Sequence, residues 1–187
     1  MSLGDNMEFA TIILIIIIIL GILGIIYINS YNKLQFLKTK IEQAENIADE
    51  SLRSKYDSII KINNIVKKTL KNKKDYLKEY IELKDKKISN FELDRKLVEA
   101  MNTIETLMCD YEKLENNHDI QDIIYEIKNI DEKLSAAKTY YNKNTTESNQ
   151  LIRTFPSVIV AKIHKLKIKP YFDGKNMEDE IIDDFKL

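Results

Sequence analysis

The sequence predicts an all-α chain, in which an N-terminal transmembrane helix precedes an antiparallel bundle of three long helices and a short fourth. Three observations predict this class. Residues 9–28 form an uncharged apolar run, no glycine or proline occurs between residues 31 and 155, and apolar residues recur there at steps of three and four. Such steps place apolar side chains on one face of a helix. The lack of glycine also disfavours the tight hairpin turns of a β-sheet.

The run at residues 9–28 reads FATIILIIIIILGILGIIYI. A helix rises about 1.5 Å per residue, so this run spans about 30 Å, the thickness of the hydrocarbon core of a bilayer. The leader, residues 1–8, contains Asp5 and Glu8 but no lysine or arginine, and no small-residue cleavage motif comes after the run. We therefore expect an uncleaved anchor rather than a signal peptide.

Charges next to the anchor predict its orientation. Lys33, Lys38 and Lys40 follow it closely, and lysines at such positions stay in the cytoplasm. We therefore expect a single-pass protein of the cell membrane, with its N-terminus outside and its C-terminal domain in the cytoplasm. The one cysteine, Cys109, cannot form an internal disulfide, which suits a reducing compartment, and we expect it to be a small core residue.

The composition limits the size and class of the domain after the anchor. The chain has 187 residues, 32% of them charged, and a net charge of -1, which leaves room for one helical domain at residues 29–170 and argues against a general nucleic-acid-binding protein. The stretch 33–74 is basic, and the tail at residues 171–187 is acidic and expected to be flexible. The basic stretch is either a solvated helix face or a surface that touches anionic headgroups.

The first bundle helix is predicted at residues 34–70 and could be continuous with the anchor. Its apolar face consists of Leu37, Ile41, Ala44, Ala48, Leu52, Tyr56, Ile59, Ile62, Val66 and Leu70. Asp49 and Asp57 lie eight residues apart near one face of this helix. Paired carboxylates can act as acid and base, but a structural role with lysine or asparagine partners from another helix is the simpler interpretation.

The second helix is predicted to begin after a cap at Ser89-Asn90 and to end at residues 116–117. Its apolar face consists of Phe91, Leu97, Met101, Ile104, Met108 and Tyr111. Asp119 is then the expected cap of the third helix. The apolar face of the third helix consists of Ile123, Ile127, Ile130, Leu134, Ala137, Tyr141, Ser148, Ile152 and Phe155.

Pro156 is expected to end the third helix, because proline lacks the donor for an internal helix bond. Residues 158–166 should then fold back as the short fourth helix, with Phe155 closing the end of the bundle. The stretch at residues 142–149 reads NKNTTESN. On composition alone it is either a loop or a helix whose polar groups face the bundle interior.

Several motifs resemble the LemA family of bacterial membrane proteins. The densest block is Ala137, Tyr140-Tyr141-Asn142, Asn149, Phe155-Pro156-Ser157 and Ala161, followed by Pro170-Tyr171-Phe172; nearer the anchor lie Tyr31-Asn32, Ile41, Ala44, Asp49, Leu52 and Asp57-Ser58-Ile59. The resemblance implies an N-terminal anchor and an antiparallel helical bundle, favours helix for residues 142–149, and supplies no catalytic mechanism. Where the family usually has proline, this chain has Ile60, so the resemblance does not imply a proline kink in the first helix.

Candidate chemical groups are few. Glu115 and His118 have the spacing of a ferritin-like metal motif, which needs a second such pair, but the other histidine, His164, has Ala161 at the matching position. A nucleophilic Cys109 paired with histidine is conceivable, although a core role is the simpler one. We therefore expect no metal site, no cofactor and no catalytic residue.

Tyr140, Tyr141, Asn142 and Asn149 form the most suggestive polar group. They could line a small site between helices, or form a buried hydrogen-bonded layer that fixes the helix register. The structural interpretation predicts that Ala137 and Tyr141 pack against the first helix near Ile59 or Asp57, because buried polar groups need partners.

Two classes of function remain. The first is a membrane-anchored, non-enzymatic scaffold that recruits an unknown protein partner. The alternative is a ligand- or lipid-sensing module at the inner membrane face. An exposed apolar groove would favour the scaffold, whereas a closed polar cavity near Tyr140 would favour the sensor.

Overall fold

The computed structural model describes residues 3–71, 75–85 and 88–173, and their secondary structure is all-α, as predicted. The helices of these residues are α1 (Leu3–Leu70), α2 (Lys78–Ile81), α3 (Asn90–Asp110), α4 (Glu112–Glu115), α5 (His118–Arg153) and α6 (Ser157–Ile163), with a 3₁₀ turn at Glu82–Asp85. Three long helices and a short C-terminal one therefore confirm the predicted class. The predicted acidic tail lies outside the described residues from position 174 onwards.

Helix α1 contains both the apolar run and the first predicted helix face. In the part of the chain that the structure describes, it is the one helix long and apolar enough to cross a membrane, and its most apolar window has no buried residue. After residue 33 the pattern of burial changes, and every residue of the predicted apolar face is buried or half-buried. One helix thus combines a segment exposed on all sides with a segment that has one buried face.

The described chain divides into two compact units. The first unit contains residues 3–40 and 144–169, and the second contains residues 41–143 and 170–173. Helices α1 and α5 contribute residues to both.

In the second unit, α1 and α5 run antiparallel. Lys133 contacts Glu50, and Lys55 contacts Asp131, while Tyr141 shares a buried cluster with Ile41 and Ala44. Residue numbers therefore rise along α1 as they fall along α5. The core of this unit is formed by Ala48, Leu52, Ile59, Ile62, Val66, Leu77, Leu97, Ala100, Ile104, Leu107, Leu114, Ile120, Ile127, Leu134 and Ala137.

The predicted register of α5 against α1 is wrong. Tyr141 packs at Ile41 and Ala44 rather than near Ile59 or Asp57. The physical reason is that a regular apolar stripe repeats every turn, so a shift of several turns along α1 still meets apolar side chains. Long-range pairs such as Lys55 with Asp131 define the register, and the sequence pattern does not reveal them.

In the first unit, α6 packs against α1. Val160 and Ala161 of α6 form a buried cluster with Leu34. Helix α5 ends at Arg153 and α6 begins after Pro156, which confirms the predicted break. The prediction for Phe155 is wrong: its side chain is 80% exposed, because it lies in the turn after α5 rather than on the face of that helix.

Side-chain caps determine where two helices begin. The Ser89 hydroxyl accepts a hydrogen bond from the Glu92 backbone N–H at 3.2 Å, and the Glu92 carboxylate accepts one from the Ser89 backbone N–H at 3.1 Å. This capping box confirms the predicted start of α3. Helix α5 is capped by Asn117, whose side-chain oxygen accepts from the Ile120 N–H at 3.1 Å. The prediction that Asp119 is the cap is therefore wrong by two residues.

Cys109 is exposed, not a core residue as predicted. The buried face of α3 runs through Leu97, Ala100, Ile104 and Leu107. A residue two positions after Leu107 points to the opposite side of the helix, because each residue turns the helix by about 100°. The thiol therefore faces solvent.

Candidate functional site

Residues 166–172, which we call the C-terminal segment, follow α6. Within the second unit, polar side chains of α5 bind residues 170–172 of this segment. The Tyr141 hydroxyl donates to the Pro170 carbonyl oxygen at 3.0 Å, and the Asn142 side-chain oxygen accepts from the Phe172 N–H at 2.9 Å. The rings of Tyr141 and Phe172 meet edge to face with centroids 6.4 Å apart, and the Lys138 ammonium lies 5.1 Å from the centre of the Phe172 ring. These contacts attach residues 170–172 to one face of the helix.

Within the first unit, Asn149 makes a comparable attachment. Its amide nitrogen donates to the Lys169 carbonyl oxygen at 2.8 Å, and its amide oxygen accepts from the Lys169 N–H at 3.0 Å. The Asn149 side chain is buried. Residues 166–171 have no regular secondary structure, so their backbone groups need partners outside a helix or sheet. Asn149 supplies a donor and an acceptor to a single residue.

The polar stretch at residues 142–149 is helical, as the family resemblance favoured. Its interior positions are Asn144, Thr145 and Asn149. The sequence offered two roles for Tyr141, Asn142 and Asn149, and their observed partners are backbone atoms of the C-terminal segment. Apolar periodicity could not identify that segment as the partner, because it has no helical or strand repeat.

Tyr140 differs from its neighbour Tyr141, because its side chain is 41% exposed. It borders an open groove of about 490 Å³ between α1 and α5 in the second unit. The groove is lined by Gln43, Ala44, Ile47, Lys133, Ala136, Ala137 and Tyr140. We call it the α1–α5 groove. Ile47 is also exposed in it, so the groove presents apolar side chains to solvent.

A second depression, of about 570 Å³, lies along α5 on the other side of Tyr140. Its lining is Glu132, Ser135, Ala136, Thr139, Tyr140 and Lys143. Tyr140 and Ala136 border both depressions. Tyr140 therefore lies at the border of both depressions, with charged residues at their edges.

Asp49 and Asp57 line a different depression of about 460 Å³, also in the second unit. Arg53 lies between them in the sequence and binds Asp49, with its Nε 2.9 Å from the carboxylate. Tyr56 also lines this depression, and its hydroxyl donates a hydrogen bond to the Ile81 carbonyl oxygen at 2.5 Å. The structure thus brings the two carboxylates to one cavity, separate from the groove at Tyr140.

Lys55 is a buried cation that the sequence did not single out. Its side chain is only 3% exposed, and its ammonium lies 2.7 Å from the Asp131 carboxylate, which is 43% exposed. A buried charge needs a partner. This pair therefore joins α1 to α5 at one defined position.

Lys96 and Tyr111 have shifted pKa values. The hydrogen bond to Glu99, at 2.7 Å, raises the pKa of Lys96. The hydrogen bond to Tyr76, at 3.0 Å, raises the pKa of Tyr111 above its ordinary value of 10.0. Neither group borders the α1–α5 groove. The Lys96 shift comes from a pair one turn apart on α3, and the Tyr111 shift comes from a contact with the turn before α2, rather than from a reactive site.

The Glu115–His118 motif does not form on one helix. Glu115 is the last residue of α4, and His118 is the first residue of α5. The two side chains therefore lack the one-turn relationship that makes such a motif bind a metal. Over residues 3–71, 75–85 and 88–173, no group of three or more metal-ligating side chains comes together.

Comparison with known proteins finds a family match over the helical domain. The sequence model of the LemA family matches residues 43–183, which is more than half of the chain. That span includes the α1–α5 groove and most of the residues on which the resemblance was based. A search of curated proteins finds no match.

Proposed function

The chain belongs to the LemA family, and we propose that it is a single-pass protein of a bacterial cell membrane that acts as a non-enzymatic scaffold. In this proposal residues 9–28 hold it in the bilayer, and the α1–α5 groove binds a partner protein. The exposed apolar lining of that groove is the observation that carries the proposal.

The proposed anchor rests on exposure and charge. The apolar window of α1 has no buried residue, as expected for side chains that face lipid. Lys33, Lys38 and Lys40 are all in α1, within its first turns after the apolar run. Their position supports a cytoplasmic C-terminal domain and an external N-terminus.

The proposed binding surface combines exposed apolar side chains with a polar edge. Tyr140 and Ile47 supply exposed aromatic and apolar area, while Ala44, Ala136 and Ala137 leave room for a partner side chain. Aromatic anchors that fill pockets dominate the energetics of many interfaces, and polar residues surround them. Gln43, Lys133, Glu132 and Lys143 provide such a polar edge.

A non-enzymatic role is supported by how the family motif is used. Tyr141, Asn142 and Asn149 all bind backbone atoms of the C-terminal segment. Their polar groups therefore act within the fold. The net charge of -1 also gives no electrostatic reason to include nucleic acid among the partners.

Affinity capture from detergent-solubilised membranes tests the scaffold. The full chain should recover a partner, and Ile47→Asp should reduce the recovery at least about tenfold, since loss of a central interface side chain costs more than about 1.4 kcal/mol. Ile47 is exposed, so the substitution should leave the fold intact. Tyr125→Asp, at an exposed residue outside the groove, is the matched control. Equal recovery by both variants would contradict the proposed surface.

Ligand sensing is the second candidate, and the cavity at Asp49 and Asp57 favours it. Arg53 neutralises Asp49, so Asp57 leaves the cavity a net negative charge that suits a small cationic ligand. A screen of polyamines and other small cations for thermal stabilisation tests it. Stabilisation that disappears in Asp57→Asn would support sensing, and stabilisation that persists in the variant would oppose a site in this cavity.

A further inference from the structure

Helix α6 and the turn before it leave a row of apolar side chains exposed. Phe155, Ile159 and Ile163 are spaced four residues apart, and their side chains are 80%, 51% and 59% exposed. The opposite side of α6 is used inside the first unit, where Val160 and Ala161 are buried against Leu34. The exposed row is therefore a second apolar face that no described residue covers.

The position of α6 along α1 indicates what lies next to that face. His164, directly after α6, bonds the Tyr27 hydroxyl through its Nε2 at 2.8 Å, and its ring centre lies 4.7 Å from that of Tyr31. Tyr27 is at the C-terminal end of the apolar run. Tyrosine is common where a membrane helix meets the headgroups. The end of α6 is thus held at the level where the predicted membrane span ends.

The stretch of sequence that contains α6 carries charge of a single sign. Residues 148–171 contain no aspartate or glutamate. They contain five cationic side chains, which are Arg153, Lys162, Lys165, Lys167 and Lys169. This local excess contrasts with the net charge of -1 for the whole chain. The apolar row therefore lies in a stretch of the chain whose charge complements anionic lipid.

We propose that α6 and its flanking residues form a second membrane contact, in which Phe155, Ile159 and Ile163 enter the headgroup region of anionic phospholipid. The inference rests on the proposed membrane anchor. Apolar side chains beside cations are the features by which helices bind in the plane of a membrane surface. A neutral protein partner would account for the apolar row but not for the cations.

The contact is selective for anionic lipid because of its lysines. A lysine near an anionic surface strengthens membrane attachment roughly fivefold. Lys162 and Lys167 are both exposed, so they can approach phosphate groups without disturbing the packed side of α6. The tether at residues 9–28 keeps α6 next to the bilayer. Although α6 is short, it can then stay bound to the membrane surface.

A tryptophan reporter tests the contact, because the natural chain contains no tryptophan. The full-length Ile159→Trp variant is reconstituted into bilayers whose lipids carry bromine near the headgroup end of the acyl chain. Bromine quenches nearby tryptophan, so strong quenching is expected. Ile25→Trp, within the apolar run, reports insertion of the anchor. Tyr125→Trp, on an exposed site of the second unit, reports quenching without specific contact.

The reporters separate the possible failures. Quenching of the residue 25 and residue 159 reporters, with none at residue 125, supports the second contact. Quenching at residue 25 alone would overturn it while leaving the anchor intact. Absence of quenching at residue 25 would overturn the anchor of the proposed function, and the second contact with it. Equal quenching at residues 125 and 159 would also overturn the proposal, because the contact would then not be specific to α6.

A lipid comparison tests the charge. Adding phosphatidylglycerol to phosphatidylcholine bilayers should increase quenching of the residue 159 reporter. The combined Lys162→Gln and Lys167→Gln changes should remove most of that increase, since each lysine contributes roughly fivefold. Lys128→Gln, at an exposed lysine of the second unit, should not. Equal quenching in both lipids would overturn the role of the cations.

Discussion

The hydroxyl of Tyr141 donates a hydrogen bond to the carbonyl oxygen of Pro170, 3.0 Å away and 29 residues later in the chain. The tyrosine side chain is buried, and its ring also meets Phe172 edge to face. This hydrogen bond gives Tyr141, a residue of the family motif, a structural role in the fold. A tyrosine on α5 holds an extended segment that has no helix or sheet to satisfy its backbone.

Removal of this hydroxyl should weaken the C-terminal attachment. Tyr141→Phe keeps the ring but loses the bond, so we expect the free energy of unfolding to fall by about 1 kcal/mol. Denaturant unfolding of the detergent-solubilised chain measures the loss, and limited proteolysis should show earlier cleavage near residue 170. Tyr125→Phe, at an exposed tyrosine, is the control and should change stability by less than about 0.5 kcal/mol. An unchanged Tyr141→Phe protein would contradict this role.

Because Lys55 is buried, the loss of stability should differ between replacement of Lys55 and replacement of Asp131. Asp131→Ala leaves a buried ammonium without its carboxylate, and we expect a loss of about 1–3 kcal/mol, below the range for a fully buried pair because Asp131 is 43% exposed. Lys55→Met removes the charge and keeps the volume, so it should be close to neutral.

A double-mutant cycle with Lys55→Met and Asp131→Ala measures the coupling. The exposed pair of Lys133 and Glu50, 3.2 Å apart, is the matched control and should give less than about 1 kcal/mol. The two single variants would contradict the asymmetry if they lost equal stability.

The raised pKa of Tyr111 predicts a pH dependence at alkaline pH. Because the folded protein prefers the protonated phenol, the stability from this group is fully present below pH 10.0 and is lost as pH rises through the raised pKa. Tyr76→Phe removes the main cause of the shift. Site-resolved NMR titration of labelled tyrosines should show Tyr111 titrating at lower pH in that variant. The same titration midpoint in both proteins would show that Tyr76 is not the cause.

The sequence predicted the helical content better than the contacts between helices. The apolar face of residues 34–70 was identified from its period, since burial on one side of a helix leaves that pattern. Residues 142–149 have no such pattern, because their interior positions are the polar Asn144, Thr145 and Asn149. The family resemblance, rather than periodicity, therefore predicted helix there.

The errors have related physical causes. Tyr141 was assigned to the wrong level of α1, because repeating turns look alike in sequence. Asn149 is buried and hydrogen-bonded, but its partner Lys169 could not be predicted, because residues 166–171 have no helical or strand repeat. Phe155 follows the periodicity of α5 by number, yet it lies beyond the end of that helix. The α1–α5 groove depends on register as well, so sequence reasoning could not identify it.

The exposure of Cys109 provides a direct test of membrane orientation. The proposed topology places this native thiol in the cytoplasm. A membrane-impermeant maleimide should therefore fail to label it in intact cells and should label it after lysis. Cys109→Ser is the control for background labelling. An introduced Asn176→Cys would lie outside the described residues, so the native cysteine is the better-defined probe. Labelling before lysis would contradict the cytoplasmic assignment.

We propose that the α1–α5 groove binds a partner protein in the membrane-anchored chain, and site-specific photo-crosslinking in living cells tests this most directly. A photoreactive phenylalanine replaces Tyr140 in the groove or Tyr125 outside it; both native side chains are exposed. We predict a discrete heavier product from position 140 that is absent at position 125 and lost when Ile47→Asp is added. The claim would be contradicted by no product at position 140, or by one that also forms at position 125 or persists with Ile47→Asp.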